Sequence, residues 1–432
     1  MSTKKLITVD DHFLSPTNPI ANADQRDLEA LAIKVVNMPG VQQAKQQMAT
    51  RWKTIVGRDI TAEALSRFDE LVEEFAFNYT LKAVNSDPNY PKVLGHLYGP
   101  PHEWFGMKVP GSRGSGGDGP DQNYSIIPID GRSRYEIHGQ CLDRSIGDVP
   151  FTLTGNTSLT MTLGSLPWSE VKFGADDRFV ITIDPQPANC RSNHIQSTLE
   201  ARWLFIRDCR ADWRQTVNAY RVKRLDPPAA PPLTIEQIAE RAGRFMIDDV
   251  PAMYWFPRIF AAMEPNVIGE PFGTGGVGGL VQQMISFLRL RLADDEAYVV
   301  TFGSGGAPFR DVVLQDFWFR TYPYWKHTSN MNNSQGVPNA DGSTSYVISK
   351  QDPGLHNWID TVGFREHMVV HRWQGLPLTP GTEGVPWAKG QVVRFSELEK
   401  ALPSGMKRVT PEQRKQQLAE RLETFKLRYV DH

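Results

Sequence analysis

The sequence predicts an α+β protein built on an antiparallel, jelly-roll-like β sandwich, with a helical N-terminal region, a helical insertion and a C-terminal helix. Two separate stretches alternate apolar and polar residues with the period of two that a half-buried strand requires. Apolar residues spaced three and four apart occur before, between and after those stretches. The chain is also rich in aromatic and turn residues, with 11 Trp, 12 Tyr, 21 Phe, 35 Gly and 31 Pro among 432 residues, a composition suited to short strands joined by tight turns.

Taken in order, Asp24 to Ala49 is rich in Ala, Gln, Leu and Lys and reads as two helices broken at Pro39-Gly40. Thr61 offers an N-cap hydroxyl to a helix carrying Leu65, Phe68, Leu71, Val72, Phe75 and Tyr79 at helical spacing. Gly111 to Gly119 holds too few apolar side chains to fix one conformation and reads as a mobile loop, either a surface connection or a lid. Tyr124 to Arg207 reads as strands, with Thr or Ser alternating with Leu or Met across Thr152 to Leu163. Helical spacing returns through Trp213, Val217 and Tyr220, and Asp226 to Pro232 is a proline-rich linker. Thr234 and Gln237 form a capping-box pattern, and Leu280 to Leu292 reads as a further helix. Strands resume from Ala297, including "VVLQDFWFRTYPY", and Pro411 to Tyr429 closes the chain as a polar helix. This divides the chain into a helical region (1–100), a first β-rich region (101–225), a linker with a helical segment (226–293), a second β-rich region (294–400) and a C-terminal helix (401–432). Neither strand region has helices interleaved for a parallel sheet, so the two can pair into one antiparallel sandwich.

Charge and cysteine usage narrow the partners. Lys and Arg total 47 against 49 Asp and Glu, a formal net charge of −2, which gives no electrostatic footprint for nucleic acid or an anionic membrane. No apolar run approaches the roughly 18 residues needed to span a bilayer. Cys141, Cys190 and Cys209 show no C-x-x-C spacing, and Met1 to Pro16 carries charge where a signal peptide needs an apolar run. A cytoplasmic protein is expected, one compatible with homo-oligomer formation.

The stretch from Asp316 to Pro377 contains Trp318, Thr321 and Tyr322, then Asn330, Asn332 and Asn333, then Asp341-Gly342-Ser343, Pro353-Gly354, Asn357-Trp358 and Arg372-Trp373. In this order it resembles the bacterial family catalogued as domain of unknown function twelve-fourteen, and "YSIIPIDGRSRYEIHG" is similar to that family's earlier strand pair. The resemblance implies a jelly-roll-like sandwich in the second half and brings no settled catalytic residues.

If "DFWFRTYPY" is a strand, Trp318, Arg320, Tyr322 and Tyr324 share one face, combining aromatic surface with a guanidinium and phenols. Tyr322 and His356 are then candidate proton carriers, with Arg320 holding an anionic oxygen. Trp318, Trp325, His327, Trp358, Tyr135 and Arg132 are candidate substrate-binding residues. Each also has an ordinary reading, as amphipathic strand surface, loop anchor or turn chemistry. Asp341-Gly342 is a hairpin-turn signal. His367 and His371 lie four apart among β-branched residues, and on a strand that separates their side chains by about 13 Å. Gly273, Gly275 and Gly278 satisfy G-x-G-x-x-G, but a proline-broken helical segment precedes them where a strand is required. No metal or cofactor is expected. The functional expectation is a cofactor-independent catabolic enzyme, of lyase type, cleaving a small aromatic compound by acid–base chemistry, with formaldehyde release from a lignin-type aryl dimer as one concrete version. The alternatives are a non-catalytic ligand- or carbohydrate-binding module, and a His-metal hydrolase or oxygenase using His327, His356, His367 or His371.

Overall fold

The computed structural model describes residues 6–57, 60–114, 116–275, 280, 282–377 and 384–431. It is an α+β fold in which a helical bundle adjoins two antiparallel sandwiches. Helix α1 (Ala23–Val36) begins where the Asn22 side chain accepts from Gln25 N, and α2 (Pro39–Val56) starts on the proline that separates the two. Thr61 caps only the short α3 (Ala62–Ser66); the chain breaks at Arg67 before α4 (Phe68–Val84). Helices α5 (Ile235–Asp248), opened by the Thr234/Gln237 capping box, α6 (Val250–Met253) and α7 (Trp255–Ala262) form the insertion. Helices α8 (Leu398–Ala401) and α9 (Pro411–Lys426), the latter with a Thr410/Gln413 capping box, close the chain. None of the described helices is long and apolar enough to cross a membrane.

The first run of strands is β1 (Leu94–Leu97), the small hairpin β2 and β3 (His102–Trp104, Met107–Val109), β4 (Gln122–Pro128), β5 (Tyr135–Gln140), β6 (Phe151–Thr154), β7 (Thr162–Leu166), β8 (Arg178–Asp184), β9 (His194–Gln196), β10 (Trp203–Cys209) and β11 (Ala219–Arg224). The second is β12 (Phe272–Gly273), β13 (Gln283–Arg291), β14 (Glu296–Gly303), β15 (Phe309–Gln315), β16 (Asn330–Asn332), β17 (Thr344–Ser349), β18 (Trp358–Asp360), β19 (Glu366–Gln374) and β20 (Trp387–Arg394). Each run makes its own sandwich, so the two do not merge into one. Leaving out the β2–β3 hairpin, the strand order is the same twice. A five-stranded sheet β1-β4-β10-β6-β7 corresponds to β12-β13-β19-β15-β16, and a four-stranded sheet β11-β5-β8-β9 to β20-β14-β17-β18. Among the described residues each sandwich has one parallel pair, β8 with β9 and β17 with β18, and these also correspond.

Four further segments depart from the sequence reading; the alternation across Thr152 to Leu163 is interrupted by a turn between β6, which ends at Thr154, and β7, which begins at Thr162. Residues 283–291 form a strand, in which buried Leu288 and Leu290 alternate with Arg289 and Arg291 at period two. Trp213 lies in a turn set by Asp212, whose carboxylate accepts from Arg214 N, and Tyr220 belongs to β11. "DFWFRT" is a tight turn: the Asp316 carboxylate accepts from both Trp318 N and Arg320 N, and Phe319 has a positive φ of 56°. A side-chain acceptor that takes local amides competes with the ladder and ends β15 at Gln315.

Helix α4 is buried on almost every side and joins the bundle to both sandwiches. Its Glu74 accepts from the Arg113 guanidinium at 2.5 and 2.9 Å and pairs with Arg320 at 3.4 Å. Arg320 also reaches Glu70 at 2.7 Å and Asp316 at 3.3 Å, and Arg67 holds Asp316 at 2.8 Å. Further along α4, Lys82 is fully buried, its Nζ 4.3 Å from the Tyr79 ring centre and without a hydrogen-bond acceptor among the described residues. Burial lowers its pKa to about 8, with Asp249 opposing the shift. Between about pH 8 and the ordinary lysine value of 10.5 the unfolded chain binds the extra proton, so the wild-type protein gains stability as pH rises through that window. Lys82→Met is therefore expected to stabilise the fold by about 1–3 kcal/mol at pH 7, with the gain shrinking by pH 10, as read by urea unfolding at the two pH values.

Candidate functional site

The central strands of the two five-stranded sheets carry arginines at matching positions. On β10, Arg207 lies two residues before Cys209, which pairs with Gln122 of β4. On β19, Arg372 lies two residues before Gln374, which pairs with Gln283 of β13. Both arginines are buried, and Arg372 stands close enough to Arg207 to help lower its pKa, burial being the larger cause. The second half supplies Asp311 opposite Arg372 on β15, with the ion pair at 3.2 Å. Opposite Arg207 the corresponding place holds Pro150, whose carbonyl accepts from Arg207 N at 3.3 Å. The Arg207 guanidinium bonds Thr152 Oγ1 at 3.2 Å and lies 4.0 Å from the Phe205 ring centre.

Both arginines line a cavity of about 560 Å³. Gln122, Tyr124 and Phe205 contribute from the first sandwich, and Gln283, Ile285, Phe287, Gln315 and Val370 from the second. Helices α6 and α7 contribute Pro251, Ala252, Trp255 and Phe256. The aromatic wall is continuous: Phe319 lies 5.0 Å from Phe256 and 6.2 Å from Phe287, which lies 5.8 Å from Phe272. Trp255 and Phe272, 46% and 44% exposed, bring apolar surface to solvent beside it. Tyr98 and Tyr124 add phenols, their rings edge-to-face at 5.3 Å, and burial raises both pKa values. Tyr124 donates to Gln122 Oε1 and accepts from Gly119 N.

The glycine-rich segment borders this cavity through Gly116, Gly117 and Asp118. Apart from Ser115, which lies outside the described residues, it is anchored at both ends and is not the free loop its composition suggests. Arg113 is held by Glu74, and the Asp118 carboxylate accepts from Gly114 N, Thr321 N and Thr321 Oγ1. Gly114, Gly116 and Gly117 take φ values of 101°, 136° and 79°, which side-chain-bearing residues rarely adopt. Gly117 O accepts from Arg372 Nη2 at 3.0 Å, so the bend delivers a carbonyl to the arginine. Burial, opposed by the bonds from Thr321, pushes the Asp118 pKa up to about 6.

The residues singled out from the sequence lie elsewhere. Arg320 is in the α4 network, and Trp318 donates to Ala64 O while packing on Trp52 and Phe68. Tyr322 is buried with its hydroxyl 2.9 Å from His367 Nδ1. His367 Nε2 lies 3.1 Å from Phe364 O, and burial lowers this histidine's pKa to about 4. Trp325 stacks on Phe425, His327 pairs with Asp360 at 2.8 Å, and Trp358 donates to Ser349 O. His356 lines a separate hollow of about 110 Å³ and bonds Gln335 O. Tyr135, in the first sandwich, bonds Pro88 O, and Arg132 is exposed on the turn before it. The structure thus brings Arg320, Trp318 and Tyr322 into one buried neighbourhood, sets His356, Trp358, Tyr135 and Arg132 apart from it, and places none of the nine on the 560 Å³ cavity. Of the nine, only His356 lines a hollow described here.

Arg207, Arg372, Tyr98 and Tyr124 line the cavity; none is a site candidate from the sequence, where Arg372 figures only in the Arg372-Trp373 pair of the family-like motif. The available signal is a Q-x-x-S pattern that opens β4 (Gln122, Ser125) and β13 (Gln283, Ser286), followed in each half by an arginine near the end of its partner strand.

No family model and no curated protein matches the chain. Among solved structures, an uncharacterized protein from Burkholderia cenocepacia superposes with a TM-score of 0.68 at 21% identity, covering 84% of this chain and 99% of that one. That likeness shows the fold. The VPA0106 protein from Vibrio parahaemolyticus aligns at 11% identity and a TM-score of 0.37, over 63% of this chain and 90% of that one.

Proposed function

We propose that the cavity between the sandwiches binds a small, largely apolar anion of the aryl carboxylate or phenolate class. The observation that carries this reading is the pair of buried guanidiniums, Arg207 and Arg372, set at matching positions beside an aromatic wall. A guanidinium out of bulk water offers directed donors to a carboxylate, and the rings supply apolar contact for the remainder of the ligand. Calorimetry with benzoate and cinnamate against benzamide and cinnamyl alcohol is the direct test. The acids are expected to bind at least about tenfold tighter, a difference of roughly 1.4 kcal/mol; equal binding of acids and neutral analogues would overturn the reading.

A second reading keeps the expectation of cofactor-independent acid–base cleavage, now at this cavity. It rests on Asp118, which borders the cavity and has a pKa of about 6, where a carboxyl can both give and take a proton near neutral pH. Incubation with aryl propanediol dimers without added cofactor should release formaldehyde, and silence across a panel of such dimers would leave the binding reading alone.

A further inference from the structure

We propose that Glu29, His96 and His102 form a site for one divalent transition-metal ion, which ties the helical bundle to the first sandwich. The three residues come from α1, β1 and β2, and one ligand atom from each lies within 4.8 Å of the others. Glu29 Oε1 is 3.4 Å from His102 Nε2, the separation of two ligands that share an ion at about 2.1 Å from each in tetrahedral geometry. The Glu29 side chain is 1% exposed and that of His102 4%.

Two ring nitrogens at this place, His96 Nδ1 and His102 Nε2, are buried with no hydrogen-bond partner among the described residues. Buried nitrogens are rarely left so, and here both belong to the same cluster. His102 Nδ1 lies 2.8 Å from Pro100 O, a contact that needs the proton on Nδ1 and leaves the Nε2 lone pair directed at the cluster. A protonated His102 bonded to Glu29 would close to about 2.7–2.9 Å; the observed 3.4 Å is too long, and such a pair leaves His96 Nδ1 unanswered.

Neighbouring groups orient the ligands as outer-shell partners do. Gln25 Nε2 donates to Glu29 Oε1 at 2.7 Å and Trp104 Nε1 to Oε2 at 2.6 Å. Tyr429 stacks on His102 with ring centres 4.4 Å apart and sets its hydroxyl 3.2 Å from His96 Nε2. A Cβ at Gly99 would fall 2.5 Å from His96 Nδ1, so the absence of a side chain there is what admits the ring. Two imidazoles and one carboxylate suit zinc, cobalt or ferrous iron rather than magnesium or calcium, which take oxygen ligands. The cluster does not line the cavity. Its role is structural: it fixes the end of β1, two residues before Tyr98, which does line it.

The test uses the untagged full chain grown in medium supplemented with zinc, cobalt, manganese and iron. Elemental analysis is expected to find about one equivalent of a divalent transition metal. Removal by chelator followed by return of Co²⁺ should give visible ligand-field absorption, and metal at a hundredfold excess over Kd should raise Tm by about 3 °C. Glu29→Gln and His102→Asn should each lose the metal. Wild-type protein with metal at background, and with no Tm shift from any of the four ions, would overturn the site without reference to any variant. Metal retained by both variants would place the ion elsewhere and overturn it equally.

Discussion

Replacing Arg320 with methionine is expected to lower stability by about 3–5 kcal/mol, enough to unfold a large fraction of the protein at 37 °C. Arg320 has no exposed surface, and its guanidinium meets Glu74 and Asp316 in the interior and Glu70 nearer solvent. Removing it leaves two buried carboxylates with one cation each, Arg113 for Glu74 and Arg67 for Asp316. The Glu70 contact contributes little, because that side chain is 63% exposed and its charge is screened. Thermal unfolding read by circular dichroism checks the outcome. If Arg320 instead serves to hold a substrate oxygen, the variant will keep its melting temperature and lose turnover, so one measurement separates the two roles.

Substituting the cavity arginines should separate affinity from stability. Arg207→Met is expected to weaken binding of an aryl carboxylate by about 10–100-fold, or roughly 1.4–2.8 kcal/mol, while leaving stability within about 1 kcal/mol of wild type. The reason is that burial already disfavours its charge, so replacing it removes a desolvation penalty. Arg372→Met should lose comparable affinity and also destabilise the fold, because Asp311 then remains buried without its ion pair. Burial already holds the Asp311 pKa at about 7, against the pull of Arg372; without the arginine it will rise further, and the destabilisation will be larger at pH 8 than at pH 6. Calorimetric titration alongside urea unfolding at both pH values reads all of this. Unchanged affinity in Arg207→Met would remove that guanidinium from the anion site.

Much of the secondary structure was legible because it is written locally. The Thr234 capping box, the proline between α1 and α2, and the alternation along β5 and β8 all carry their cause within a few residues. Segment 283–291 misled because leucines spaced for a strand also fall within a helical count, and only pairing with β19 decides between them. "DFWFRTYPY" misled more seriously: one side chain, Asp316, captures two amides and turns the segment, which sends Trp318 and Arg320 into the helical core and leaves Phe319 on the cavity. The candidate site was less legible still. Its two arginines are 165 residues apart, and what makes them equivalent is strand register, a property of the assembled sheets. Reading Gln122 against Gln283, with Ser125 against Ser286, would have been the way in.

The twice-repeated strand order has a consequence for how a ligand can lie. Two identical subunits sharing a cavity across a two-fold axis would present it with the same face twice, and an asymmetric molecule would bind in two orientations of equal energy. Joining the two halves in one chain frees each wall to diverge from its counterpart. Tyr124 stands where the other half has Ile285, and Pro150 where the other has Asp311. The cavity therefore has a head and a tail, and a molecule entering it would meet different groups at its two ends.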